Sequence, residues 1–556
     1  MIRIKNYKFK KIFITLFVVA LIIIDRVMWA AVSQWHNDQA INIWLGYTRG
    51  LLEMPVGLIS SQRVPNPNGM LILSYFLSLL PDLWFVSTFI GTLQAGLLIG
   101  ICWSNFKEVN RLFFVAALPG LVSVILRAIS VEFWNQYFIT LINLFFLLWS
   151  IRYLSRPTLW KVPWLVGLIC LAPALYLAGI VNSLTMMLVG IGVILYRPPI
   201  HWKKELWASV LFSLAVIAVS VRITWLPYFS SVSLSQLASL NPDGHLTGLP
   251  LVWVIVEAIF GFPLYAPIQW AYVTFLNNSV EIFSKPAVEL IKWTVWAGVA
   301  QGEFALGAVL LGLRANWSKK NRFSTLRAAI NPDVAQIVIL SSIFIIISYA
   351  LSPLLGGPKW AEGQRSDQVI QFLPFFLLVC FLSPFLFQTP KAFARLLSRL
   401  AYSFVLGYTI VNLAAGFFIV QSHLDYRGSV LSLQDMDVPL VQKMQAVDFI
   451  AADWKSISNS HEIPVDYQLV GGIWGWIPEF GKQMQEWYPA PMTLGRSFDY
   501  DLLRRYDLRN SQEGIQFRSF GTGRYLVSYA FDPEPNFSGV ILRHYIFGRV
   551  RVSISQ

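Results

Sequence analysis

Apolar runs of about 20 residues recur along most of this 556-residue chain, separated by short polar stretches. That length matches a bilayer's hydrocarbon core, about 30 Å at 1.5 Å per helical residue. The pattern predicts spans at about 12–31, 83–104, 112–128, 135–151, 162–178, 180–196, 206–226, 290–313, 335–352, 369–388 and 401–421. Two apolar stretches are left out. GMLILSYFLSLL (69–80) is too short to cross, and LVWVIVEAIFGFPLYAPIQWAYVTFL (251–276), though long enough, would turn later basic loops to the other side. Both are expected to lie in or dip into the outer interface.

Lys and Arg set the threading. They collect in KNYKFKK at the N-terminus and in SNFKEVNR, RYLSRPTLWK, RPPIHWKKE, RANWSKKNRFSTLR and TPKAFARLLSR. With about eleven spans, every one of these segments falls on one side, which the positive-inside bias makes cytoplasmic. The N-terminus is then cytoplasmic in a multi-pass plasma-membrane protein, and a first loop (32–82) and a long segment (227–287) lie outside. The formal charge of +13 is read as a product of this topology and not as a mark of nucleic-acid binding. Only 13% of residues are charged and 56% are hydrophobic, against roughly 25% charged in soluble domains. The N-terminal run is expected to stay as a span rather than be cleaved, because the small-residue site near Ala31 lies beyond Asp25 and Arg26. Cys102, Cys170 and Cys380 sit inside apolar runs with no metal or disulfide spacing.

The character changes near residue 422. PLVQKMQAVDFIAADWK carries apolar residues at 440, 441, 444, 447, 451 and 454, a helical period. IPVDYQLV, GRYLVSYAF and GVILRHYIFGRVRVSI then read as strands. The expected architecture is a polytopic α-helical membrane domain (1–421) with outer interfacial helices, followed by an extracytoplasmic α/β domain (422–556).

Polar residues of chemical interest gather outside. SQWHNDQAINIW follows the first span and opens an amphipathic helix, with Ile41, Trp44, Leu45, Leu51 and Leu52 set against Asn42, Thr48 and Arg49. Asp38 at its head is either an N-cap or a catalytic acid, and His36 is either loop or substrate contact. Glu132, in ISVEFWNQ, is a helix-end acid at the interface, a partner for Arg127, or a functional carboxylate. Within spans, Asp25 and Arg26 are adjacent and expected to pair with each other, and Glu303 has no evident partner. Ionisable groups at such depth are costly and invite a functional reading. His245, in NPDGHLTG, is either a plain exposed histidine or part of a lid.

An acid just outside the first span, a surface helix, then VPNPNGMLILSYFLSLLPDLW resembles the GT-C superfamily of membrane glycosyltransferases. Its members include protein O-mannosyltransferases and aminoarabinose transferases. The family's first loop often carries Asp-Glu; the pair here is Asp38-Gln39, and Arg63, Asn66 and Asn68 stand near the prolines. The resemblance implies Asp38 as general base and Glu132 as the second acid, in the loop after the third span. It implies a polyprenyl-phosphate-linked sugar as donor and a lipid, glycan or protein hydroxyl as acceptor. Arg365, Lys359 and Arg63 are candidates for the phosphate, and His36, Asn66 and His245 for the substrate loop. A divalent cation, Mg²⁺ or Mn²⁺, would be held by Asp38 and Glu132.

The chemistry supports two acids independently. An alcohol is a poor nucleophile at neutral pH and needs a base, and a departing phosphate needs positive charge. Two rivals remain: an envelope polysaccharide polymerase or ligase, which would concentrate Arg and His in a central outer loop, and a transporter, which would show repeats and broken helices with midplane charges.

Overall fold

The computed structural model describes most of residues 17–46, together with 55–59, 64–106, 111–133, 135–199, 202–233, 391–425, 438–458, 465–467, 524–531 and 540–555, and isolated residues between 286 and 351. Within these the protein is mostly helical. Five helices are long and apolar enough to cross a membrane: Leu83–Asn105, Tyr137–Ser155, Leu177–Tyr196, Trp202–Ser231 and Val405–Asp425. The chain is a multi-pass membrane protein. The spans expected at 290–313, 335–352 and 369–388, the segment 251–276 and Glu303 lie wholly or mostly outside the described residues.

Helix α1 (19–31) leads to helical residues among 39–46, here α2. Strands β1 (Val56–Ile59) and β2 (Pro65–Pro67) pair antiparallel. Two prolines are tolerated in β2 because a two-stranded sheet has only edges. Helix α3 (Gly69–Leu77) follows; nine residues reach about 13 Å, too short to cross. Then come α4 (Leu83–Phe106), α5 (Arg111–Val122), α6 (Val124–Ser130), α7 (Asn135–Ser155), α8 (Val162–Leu175) and α9 (Ile180–Tyr196). Helix α10 (Trp202–Ser220) runs through a π-helical turn, Val221–Trp225, into α11 (Leu226–Ser231).

Three expectations are corrected here. The third span is two helices broken at Ser123, whose ψ of 124° is extended. Pro119 and Gly120 weaken the last turn of α5, and the exposed backbone is satisfied by a neighbouring helix instead. The last span begins at Lys391 and forms one 35-residue helix, α12 (Lys391–Asp425), so KAFARLLSR, expected as loop, is helical. Its Ala, Leu and Arg are good helix formers. Finally, α2 does not present Asn42 to water: Asn42 is buried together with Gln39, Ile43 and Leu45. A Cβ on Gly46 would lie 2.6 Å from the Ser74 backbone, so α2 meets α3 main chain to main chain and is covered on both faces.

After α12, helix α13 (Leu440–Ile457) packs on a four-stranded sheet of order β3 (Val465–Tyr467), β4 (Tyr525–Tyr529), β6 (Val550–Ser555), β5 (Ile541–Phe547). β3 and β4 are parallel and the other pairs antiparallel. Phe449 of α13 stacks over Tyr545 at 4.2 Å and Phe547 at 5.5 Å, above a core of Val447, Ile450, Tyr525, Val527 and Val552.

This unit is seated on the membrane helices at the end where α1 exits. Leu440 N–H donates to the Ser33 carbonyl at 3.1 Å, and Leu440 and Met444 join the main helical core. Gln442 donates to the Leu424 carbonyl (3.1 Å) and accepts from Arg549 N–H (2.8 Å). Gly548, at φ +60°, lies directly under that side chain and could carry no Cβ there. The ends of α1 and α12 thus share one face.

The opposite end of the bundle is basic. Lys161 Nζ donates to the Arg152 and Arg156 carbonyls, and Arg197 donates to the Leu154 carbonyl. Lys203 and Lys204 open α10 beside them. Partial burial and the nearby Arg156 and Arg152 charges hold the Lys161 ammonium below its usual pKa.

Candidate active site at the loop 1 face

The segment after α1 makes two parallel cross-links to the segment after α6. Trp35 adopts φ 45°, the left-handed region, which costs a non-glycine residue on the order of 1 kcal/mol. It is held there by an indole N–H bond to Ser87 Oγ (2.8 Å) and by stacking on Phe133 at 5.6 Å. Phe133 in turn meets Phe138 edge-on at 5.4 Å. Four residues further along loop 1, Gln39 Nε2 donates to Glu132 Oε2 at 2.9 Å. Gln39 is 0% exposed and Glu132 4%. Residues 93 positions apart in sequence are therefore paired within the protein, out of water.

Below this pair lies an ionic cluster. Asp25 accepts from Arg26 and, through Oδ1, from Arg127 Nη1 at 2.7 Å. Arg26 Nη2 also donates to the Leu121 carbonyl (3.1 Å), and Arg127 Nη2 to the Asn412 carbonyl (2.5 Å). The Arg127 guanidinium lies 5.2 Å from the Trp29 ring centroid. Asn412 Oδ1 accepts the Val124 N–H at 3.2 Å, capping the break between α5 and α6. Gly416 faces Arg127 so closely that a Cβ would meet the guanidinium. One carboxylate and two guanidiniums thus bind α1, α6 and α12 together five residues before Glu132. The expectation that Asp25 pairs with Arg26 holds; Arg127, one of the alternatives weighed as a partner for Glu132, is engaged by Asp25.

Asn66, assigned to the substrate loop, has both ends of its amide engaged. Nδ2 donates to the Leu58 carbonyl (2.9 Å) and Oδ1 accepts the Leu177 N–H (3.1 Å), bracing β1 and β2 against the turn between α8 and α9. Tyr228 adds a hydroxyl bond to the Pro65 carbonyl at 3.0 Å. Asp38, His36, Arg63, His245, Lys359 and Arg365 lie outside the described residues. Of the expected site, Glu132 and Asn66 are therefore described, on the same face of the bundle. The residue preceding Gln39 in the chain is Asp38.

Sequence reasoning met Gln39 only as a departure from the family's Asp-Glu pair and gave it no role, because only the fold reveals its partner. A cation site was also tested against these residues. Among the described residues no group of three or more His, Cys, Asp and Glu could hold a metal. Glu132 supplies a hard carboxylate of the kind Mg²⁺ takes, an ion that keeps several waters and few protein ligands, while Gln39 turns its NH₂ and not its oxygen toward that acid.

No family model and no curated protein matches the chain. Among solved structures, its backbone is similar to the crystal structure of ArnT from Cupriavidus metallidurans bound to undecaprenyl phosphate, with a TM-score of 0.44 and 12% identity over 97% of this chain and 98% of that one.

Proposed function

We propose that this chain is a GT-C-type glycosyltransferase that moves a sugar from a polyprenyl-phosphate donor to a hydroxyl acceptor, at the outer face of the cytoplasmic membrane. The observation that carries this reading is the Gln39–Glu132 hydrogen bond, because it draws the loop bearing Asp38 onto the loop bearing Glu132. Asp38 precedes Gln39 in the chain, and an acid there would supply the base that an alcohol nucleophile needs at neutral pH.

In this reading Asp38 takes the acceptor's hydroxyl proton as the oxygen attacks the anomeric carbon. The bond from that carbon to the phosphate oxygen breaks, and polyprenyl phosphate departs with the electron pair. Glu132 orients the acceptor. Arg365, Lys359 and Arg63 balance the phosphate charge as it develops. A bound Mg²⁺ or Mn²⁺ would be held by Asp38 and Glu132 and would supply further positive charge for the leaving phosphate. The outward placement of the site is supported by the basic residues Arg152, Arg156, Lys161, Arg197, Lys203 and Lys204 at the opposite end of the bundle. In this reading the unit after α12 is extracytoplasmic too.

One observation favours a transporter: the third span is broken and has buried charges beside the break. Those groups are turned on one another, however. Asn412 caps the break, and Asp25 bridges both guanidiniums. A cluster closed in this way suits the bracing of a site better than the passage of a solute.

The test is a transfer assay in membranes using radiolabelled undecaprenyl-phosphate sugars, comparing wild type with Asp38→Asn and Glu132→Gln. Loss of a general base is expected to lower the rate by about 10²- to 10⁴-fold in Asp38→Asn. Wild-type rates in that variant would remove the base and the mechanism built on it.

A further inference from the structure

We infer that Gln39 is a positioning residue for Glu132, fixing one carboxylate oxygen so that the acid meets its substrate already oriented. This inference rests on the transfer reaction proposed above.

The orientation of the amide is forced. An ionised carboxylate only accepts hydrogen bonds, so the NH₂ end must face Glu132 and Oε1 must point away. That oxygen is buried and has no hydrogen-bond partner. A side chain selected for packing alone at a fully buried position would be Leu or Met, without an acceptor stranded in the interior. A half-satisfied amide therefore calls for a reason, and the bond to Glu132 is the reason available.

The geometry around the pair gives that bond little freedom. The Trp35–Phe133 stack clamps the same two segments, four residues before Gln39 and one after Glu132, so neither end can drift. Below, Ser130 Oγ donates to the Arg127 carbonyl and ties the end of α6 to the residue that Asp25 holds. The carboxylate thus sits between a fixed loop and a fixed helix end.

The choice of Gln over an acid has a chemical consequence. A Glu at position 39 would bring a second carboxylate within hydrogen-bond distance of the first. Like charges so close cannot both ionise, so the pair would share a proton. A neutral amide leaves Glu132 as the sole acid of the contact and adds a donor to hold it. The amide at position 39 is thus a working part of this site in its own right.

A kinetic double-mutant cycle tests the assignment. Gln39→Met keeps the size and removes the donor; Glu132→Gln removes the charge; the third enzyme carries both changes. Melting in detergent establishes that each is folded. If Gln39→Met fails to fold, Gln39→Asn, which keeps the amide but withdraws it by one methylene, takes its place in the cycle. Gln39→Met is expected to lower kcat about 10- to 100-fold, leaving KM for the polyprenyl-phosphate sugar within about twofold. The double variant is expected to be no slower than Glu132→Gln alone, since Gln39 acts through that acid. Independent, multiplying losses would overturn the inference, as would a loss confined to KM or a wild-type kcat in Gln39→Met. Should Glu132→Gln keep the wild-type rate while Asp38→Asn does not, the positioning role falls and the transfer reading stands. If the wild-type membranes transfer nothing, both fall.

Discussion

Asp25 serves two guanidiniums at once, and that imbalance determines what its loss would do. Arg26 and Arg127 are each about 2% exposed, while Asp25 is 24% exposed. Removing the acid strands two buried cations. Asp25→Ala is therefore expected to cost about 3 kcal/mol, in the range for breaking a buried pair from one side. Adding Arg127→Met to that variant removes one stranded charge and is expected to recover part of the loss, read as the detergent melting temperature. A double variant less stable than Asp25→Ala would mean the acid is not the counter-ion of Arg127. The pair of Asp25 with Arg26 was legible because the two are neighbours in sequence. The bond to Arg127 was not, because its partners are 102 residues apart and Glu132 offered a nearer acid. The same blindness hid Gln39: hydropathy and charge find acids and bases, but a neutral amide becomes visible only when the fold brings an acid to it.

The apolar runs revealed where helices cross, since burying a backbone in lipid requires about 20 apolar residues whatever the neighbours are. They could not reveal where a crossing helix breaks. Pro119 and Gly120 were visible, but either could be carried through a helix; the break persists because Asn412, on another helix, caps the freed Val124 N–H. Asn412→Leu, which leaves that donor unpaired, is expected to destabilise by about 1–3 kcal/mol. It is also expected to raise hydrogen–deuterium exchange at Val124 and its neighbours while α7 and α8 are unchanged. Uniform exchange across α5 and α6 would show the cap to be dispensable. Helix α2 teaches the same lesson in reverse. Its amphipathic pattern identified one apolar face, and no sequence pattern could announce that α3 and the Glu132 segment cover the other. At Gly46, where α2 touches the α3 backbone, Gly46→Ala forces the two apart; about 1–3 kcal/mol is the expected cost of such overpacking. Because Gln39 belongs to α2, that variant is also expected to lose transfer activity. Gly96, which has nothing within 4 Å of an added Cβ, serves as control, and Gly96→Ala is expected to be silent.

At the scale of the whole molecule, two ends of one bundle carry opposite characters. Gln39, Glu132, Asn66 and the sheet-bearing unit after α12 lie at one end, and the cations of the α7–α8 and α9–α10 connections at the other. A voltage- and lipid-charged membrane sorts such an object in one direction, cations inward. Cysteine labelling in intact cells tests that sorting with exposed positions from both ends. In a background without Cys102, Cys170 and Cys380, Ser230→Cys in α11 and Ser456→Cys in α13 are expected to react with a membrane-impermeant maleimide. Lys203→Cys, at the start of α10, is expected to react only after permeabilisation. Ser230 and Lys203 stand at opposite ends of one continuous helix, Trp202–Ser231, so their labels must differ if that helix crosses. Ser456 tests a separate point: α13 is bonded to both Ser33 and Leu424, so it must share the side of Ser230 if those bonds hold in the membrane. Labelling of Lys203→Cys in intact cells with protection of the other two would invert the protein and put Glu132 in the cytoplasm, where the proposed acceptor chemistry would have to be sought on the other side. Equal labelling of Ser230→Cys and Lys203→Cys would remove the crossing itself.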